Sequence, residues 1–175
     1  MRINKLILTI LLTIAFALSA QVNFAQEKRK PSTPEERARA VMLIRMLESE
    51  PLNKDAKDAR RWLLQWLSEV PDITVTITPD FLRPIFGKEK NYAGEIFFQM
   101  TLSSAAFIIE NPDKANDEQA VNVAGLEGSL KAYESILKVK PKAKWEFLDG
   151  LIEKRNKGEL DEYVAEILKN EKKNN

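Results

Sequence analysis

Residues 96–109 read IFFQMTLSSAAFII, fourteen positions without one charged side chain. Phe97-Phe98 and Ile108-Ile109 put apolar bulk on opposite faces of a 3.6-residue period, so a helix here has no face to offer water. Gln99, Thr101, Ser103 and Ser104 make the stretch too polar for a membrane span, and it falls short of the roughly 20 apolar residues a span needs. The stretch therefore predicts a buried helix over 92–109, with the rest of the chain packed around it.

The flanking sequence supplies the packing partners. Thr33-Pro34-Glu35-Glu36 carries an N-cap, a proline at the first helical position and the glutamate of a capping box. Ala40, Val41, Ile44 and Leu47 follow at helical spacing, predicting a helix over 34–49. A second helix, over 54–69, carries Ala56, Ala59, Leu63, Trp66 and Leu67 on one side and is closed by Pro71. Beyond Asn111-Pro112-Asp113, Val123, Leu126, Leu130, Tyr133 and Ile136 mark a fourth helix over 117–139. Gly125 and Gly128 lie inside it, each costing about 1 kcal/mol relative to alanine. Close approach of a neighbouring helix offsets that cost, and an antiparallel hairpin brings Ser103, Ser104 and Ala105 to the two glycines. Helices over 142–156 and 159–169, separated by Gly158, complete the set, and the polar 170–175 reads as a frayed tail.

Tyr133, Leu137 and Pro141 stand at the spacing of the aromatic, leucine and proline that close a tetratricopeptide hairpin, so the chain loosely resembles that architecture. The likeness covers about ten residues, and an offset of about 34 brings up no second copy. It implies an all-α domain over 34–169, a five- to six-helix bundle of stacked helical hairpins rather than a regular array.

One segment breaks the helical pattern. In DITVTITPDFLRPIFGKEKN, residues 72–91, Ile73, Val75 and Ile77 alternate with threonines, which is strand spacing. An extended piece over 72–78 has no evident partner strand. It is expected either to lie as a loop over the bundle, to pair with a second short extended piece, or to serve as an edge that accepts another chain. With Phe81 and Phe86 close by, the last reading makes Ile73, Val75, Ile77, Phe81 and Phe86 the candidate contact residues.

The chain begins with an address. Arg2 and Lys5 precede an uncharged run over 6–18, and small residues follow, the three-part pattern of a secretory signal peptide over 1–25. Cuts after Ser19, Ala20 or Ala25 satisfy the need for small side chains, and 26–33 reads as a flexible lead-in. No cysteine follows for lipid attachment and no Asn-x-Ser/Thr triplet occurs, so a bacterial periplasmic or released protein without a stable membrane anchor is expected. Cleavage after Ala25 leaves 150 residues with 25 basic and 26 acidic side chains, a balance that argues against nucleic acid as a partner.

Composition narrows the chemistry. Without histidine or cysteine there is no Ser-His or Cys-His pair and no imidazole or thiolate metal site, and no cofactor is expected. Carboxylate, lysine and tyrosine chemistry stays open. Ser135 and Lys138 match a Ser-x-x-Lys pattern, but the further motifs of penicillin-interacting enzymes are missing and an exposed helix edge accounts for the pair. Glu146, Asp149 and Glu153 share a helix face, as solvated carboxylates commonly do. Trp62 and Trp66 stand one turn apart, a spacing of core aromatics that also fits a sugar-stacking platform. The reading that follows is an exported, non-enzymatic protein-binding or scaffolding module that engages another protein or a second copy of itself through 72–91. The alternative is a small-ligand-binding or carboxylate-dependent enzymatic domain with a cleft between helices two, three and four.

Overall fold

The computed structural model describes residues 29–76 and 78–174, and every regular element among them is helical. The signal expected over 1–25, with its cuts after Ser19, Ala20 or Ala25, lies outside the described residues. Among the described residues six α-helices follow in order: α1 (Pro34–Ser49), α2 (Ala56–Glu69), α3 (Ala93–Glu110), α4 (Glu118–Val139), α5 (Glu146–Lys157) and α6 (Leu160–Asn174). The described residues contain no strand, so the alternating Ile73–Val75 stretch is an irregular extended loop and pairs with nothing. Among the described residues no helix is long and apolar enough to cross a membrane.

Local chemistry explains where the helices start. At α1 the Thr33 hydroxyl accepts from the Glu36 amide at 3.2 Å, and the Glu36 carboxylate accepts from the Thr33 amide at 2.9 Å, the reciprocal capping box. α2 begins two residues later than the periodicity suggests, because the Asn53 side chain accepts from the Asp55 amide at 2.9 Å and holds a turn there. α3 begins after Tyr92 rather than at it, since Asn91 and Tyr92 both sit in the left-handed region, at φ +50° and +60°. The Asn91 side-chain Nδ2 donates to the Lys144 carbonyl at 3.0 Å, and Trp145 Nε1 donates to the Asn91 backbone carbonyl at 3.1 Å, which ties this strained corner to the loop before α5. α5 in turn starts at Glu146 rather than 142, because the Trp145 amide donates to the Tyr133 hydroxyl at 2.8 Å. Burial, with Asp149 beside it, pushes the Tyr133 hydroxyl up to a pKa of about 12, so it stays protonated and donates to Asp149 at 2.8 Å.

α6 continues through the polar residues expected to fray, reaching Asn174. Lys172 pairs with Glu118 at the start of α4 at 2.9 Å, and basic residues in a last turn complement the helix dipole. The described part of the lead-in is likewise tied down: Asp72 accepts from the Ser32 amide at 2.8 Å, from the Ser32 hydroxyl at 2.7 Å and from Arg37 at 2.7 Å.

α3 and α4 form the closest helix pair. Ser129 Oγ donates to the Ile96 carbonyl at 2.9 Å, and Ser104 Oγ donates to the Val121 carbonyl at 3.2 Å, so one number rises as the other falls and the helices are antiparallel. The two glycines make the approach possible. A Cβ on Gly125 would lie 2.2 Å from Ser104 Oγ, and one on Gly128 would lie 1.9 Å from Ser103 Oγ. Ser103 and Ser104 thus meet the glycines as the spacing predicts, while Ala105 turns to the other side.

That division of α3 organises two apolar clusters. Ala93, Ile96 and Met100 from its first half join Phe81, Leu82, Ile85 and the inner faces of α4, α5 and α6. Leu102, Ala105, Ala106 and Ile108 from its second half join α1, α2 and Ile73. A helix that must bury both ends against different neighbours is apolar all round, which is what the charge-free run over 96–109 encodes.

Candidate functional site

The segment between α2 and α3 separates its apolar residues into anchors and an exposed remainder. Ile73 is 6% exposed and belongs to the cluster with α1 and α2, while Val75 is half-buried against the same cluster. Ile77 lies outside the described residues. Pro79 opens a 3₁₀ turn (Pro79–Leu82) that drives Phe81 and Leu82 fully into the other cluster, followed by Ile85. Tyr163 Oη donates to the Phe81 carbonyl at 3.1 Å, so α6 holds this turn by its backbone as well as its side chains. Ile73 and Phe81 are therefore core residues in this structure and unable to meet a partner. The cause is the proline-fixed turn, which points Phe81 inward.

Phe86 behaves differently. It is 50% exposed, and its ring lies 4.9 Å from that of Phe97 at a 52° tilt. Phe97 in turn meets Phe98 edge-on at 6.1 Å, and Phe98 is 42% exposed. Phe97 is half-buried and packs on the cluster below, so it fixes the other two. Three aromatic rings, one from the loop and two from the first turns of α3, thus form a continuous ledge. The crevice beside it, lined by Thr76, Thr78, Phe97 and Met100, encloses about 10 Å³, too little for a small molecule and barely enough for one water. Phe97 and Phe98 were legible as part of an all-round apolar helix, but nothing in that pattern marks which ring reaches solvent.

A second feature lies between α1 and α4. Arg45, Glu48 and Ser49 from α1 face Lys131, Glu134, Ser135 and Lys138 from α4 across an open cleft of about 390 Å³. Glu48 is only 6% exposed, yet it stays paired: Arg45 donates to it at 2.5 Å and Ser103 Oγ from α3 at 2.8 Å. Arg45 also reaches Glu110 at 2.5 Å. Glu134 is clamped by both Arg155 guanidinium nitrogens, at 2.7 and 2.9 Å, and that hydrogen-bonded pairing holds its carboxyl below the ordinary range. Both carboxylates are thus engaged in ion pairs, Glu48 with Arg45 and Glu134 with Arg155. This cleft lies between α1 and α4, not between helices two, three and four.

The remaining sequence candidates resolve simply. Trp62 stacks on Trp66 at 5.7 Å and 10° with Arg39 4.2 Å over its ring, so Trp62 has no free face for a sugar. Asp149 is engaged by Tyr133 while Glu146 and Glu153 are exposed, so the three carboxylates do not converge. Ser135 and Lys138 both line the cleft, with no hydrogen bond between them among the described residues. No group of three metal-ligating side chains is found among the described residues.

No family model matches the chain, and neither a curated protein nor a solved structure does.

Proposed function

We propose that this chain is an exported, non-enzymatic protein-binding module whose contact surface is the Phe86–Phe97–Phe98 ledge. The observation that carries the reading is a pair of half-exposed phenylalanines braced by a third ring beside a crevice too small for any ligand. Aromatic residues supply a disproportionate share of binding energy at protein interfaces, and a rigid ring loses little entropy on docking. The export half of the proposal is supported by the basic start, the uncharged run and the small residues over 1–25. A stack of helical hairpins, loosely like tetratricopeptide repeats, fits the antiparallel α3–α4 pair and the short connections between helices outside residues 70–92.

The test is cross-linking and affinity capture from the periplasmic fraction with wild type and Phe86→Ser/Phe98→Ser, run beside sedimentation of the purified chain alone. Loss of one specific captured species in the variant, with circular dichroism unchanged, is the expected result. A wild-type dimer that the variant lacks identifies the partner as a second copy. Identical capture by both proteins, or no capture and a monomer in both, overturns the proposal.

A further inference from the structure

We infer that Met42 is an oxidation site, whose thioether takes one oxygen from a peroxide-class oxidant while the domain keeps its fold. The chain has no cysteine, so its divalent sulfur is confined to Met1, Met42, Met46 and Met100. Met1 lies outside the described residues, and the other three stand in different surroundings. Met100 is 6% exposed and sits in the α3–α4 seam, where its Cγ would lie 3.2 Å from a Cβ on Gly125. Met46 is half-buried and packs on the cluster that α1 shares with α2. Met42 is 62% exposed. It stands two positions from each of the buried Ala40 and Ile44, about 160° round the helix from both, on the outer face of α1.

The step balances between the two reactants. A sulfur lone pair attacks one peroxide oxygen, and the S–O bond forms as the O–O bond breaks. The departing hydroxide takes the proton left on the transferred oxygen and leaves as water. Sulfur is oxidised by two electrons and the peroxide is reduced by two, giving methionine sulfoxide. The oxidant must touch the sulfur, so Met42 is open to it at all times and Met100 only when the seam opens. The products differ as well. A polar sulfoxide at position 42 stays in water, whereas one at position 100 would bury an acceptor in the tightest contact of the fold. With no cysteine of its own the chain cannot reverse the change, so reversal calls on an external dithiol.

The experiment exposes the purified full chain to hydrogen peroxide, in buffer and in unfolding urea, and reads the gain of about 16 Da per oxygen by mass spectrometry. Arg39 and Arg45 bracket Met42 and Lys54 follows Met46, so trypsin places the two on separate peptides, 40–45 and 46–54. In the native chain Met42 should oxidise at least about threefold faster than either Met46 or Met100, and the three rates should converge in urea. The chain oxidised at Met42 alone should melt within about 3 °C of the untreated one, as expected of a surface change. Met42→Leu, an exposed swap of similar volume, should lose the fast phase and keep the slow one. A smaller lead for Met42, or a first oxygen placed elsewhere, overturns the inference. So does a larger fall in melting temperature, or a Met42→Leu chain that still takes its first oxygen at the wild-type rate.

Discussion

The α3–α4 seam and the 72–91 segment both bury backbone without strand pairing, by opposite means. The seam does it through absence. Gly125 and Gly128 remove side chains so that two regular helices touch, and the serines facing them donate to carbonyls across the gap. The segment does it through anchors. An irregular chain is pinned at intervals by Asp72, Ile73, Thr78, Phe81, Leu82 and Ile85, with Thr74, Thr76, Arg83 and Pro84 left at the surface. A seam of the first kind tolerates no added atom anywhere along it. A segment of the second kind tolerates change freely except at its anchors, and that freedom allows Phe86 to face solvent five residues after a fully buried Phe81.

The sharpest break of this comparison is Phe81→Ala. A fully buried ring loses its transfer energy and leaves a cavity under a turn held by Tyr163, so the expected cost is about 3–5 kcal/mol by denaturant unfolding. Phe86→Ala, in the same segment, should stay within about 0.5 kcal/mol of wild type. Equal losses at the two sites would mean that the segment packs as one unit rather than by separate anchors.

Gly128→Ala tests the other side. Alanine is the better helix former by about 1 kcal/mol, yet its Cβ would lie 1.9 Å from Ser103 Oγ and 2.8 Å from the buried Glu48 carboxylate. Overpacking of this kind costs about 1–3 kcal/mol, and displacing the Ser103–Glu48 bond adds to it, so a net loss of about 2 kcal/mol is expected. Gly150→Ala is the matched control. It is an exposed helical glycine with nothing within 4 Å of the new Cβ, and should gain about 0.5–1 kcal/mol. A gain at both positions would show that α3 and α4 are free to move apart.

Much of the seam is legible in the sequence because helical periodicity is a local code. The charge-free run marks the buried helix, the two glycines mark the approach, and Ser103 and Ser104 fall opposite them. The anchored segment is legible only as an interruption. Once periodicity stops, Pro79 marks a turn but not which ring it buries, since the cluster that receives Phe81 and the Tyr163 hydroxyl that holds its carbonyl come from about eighty residues away. Glu48 escapes notice for a related reason. A glutamate near a helix end reads as solvated, and its burial depends on Ser103 and the missing side chain of Gly128. The spacing of Trp62 and Trp66 reads as core packing yet still admits a platform, because Arg39, which covers Trp62, lies on another helix.

A further expected effect concerns the first anchor, Asp72, and its cause is read along a pH axis. Burial works to raise this carboxyl, but the hydrogen bonds from Ser32 and Arg37 outweigh it and bring the pKa to about 2, below the ordinary 3.8. A carboxyl lowered on folding adds stability that is fully present above its unfolded value and is lost as pH falls through the folded one. Wild type should therefore exceed Asp72→Asn by about 1–2 kcal/mol at neutral pH, from hydrogen bonds that carry charge, and the gap should close between about pH 4 and pH 2. Urea unfolding of both proteins across that range reads the difference directly. Parallel curves would mean that Ser32 and Arg37 hold the neutral amide as well as they hold the carboxylate. The entry to the 72–91 segment would then be fixed by shape, as the α3–α4 seam is, and not by charge.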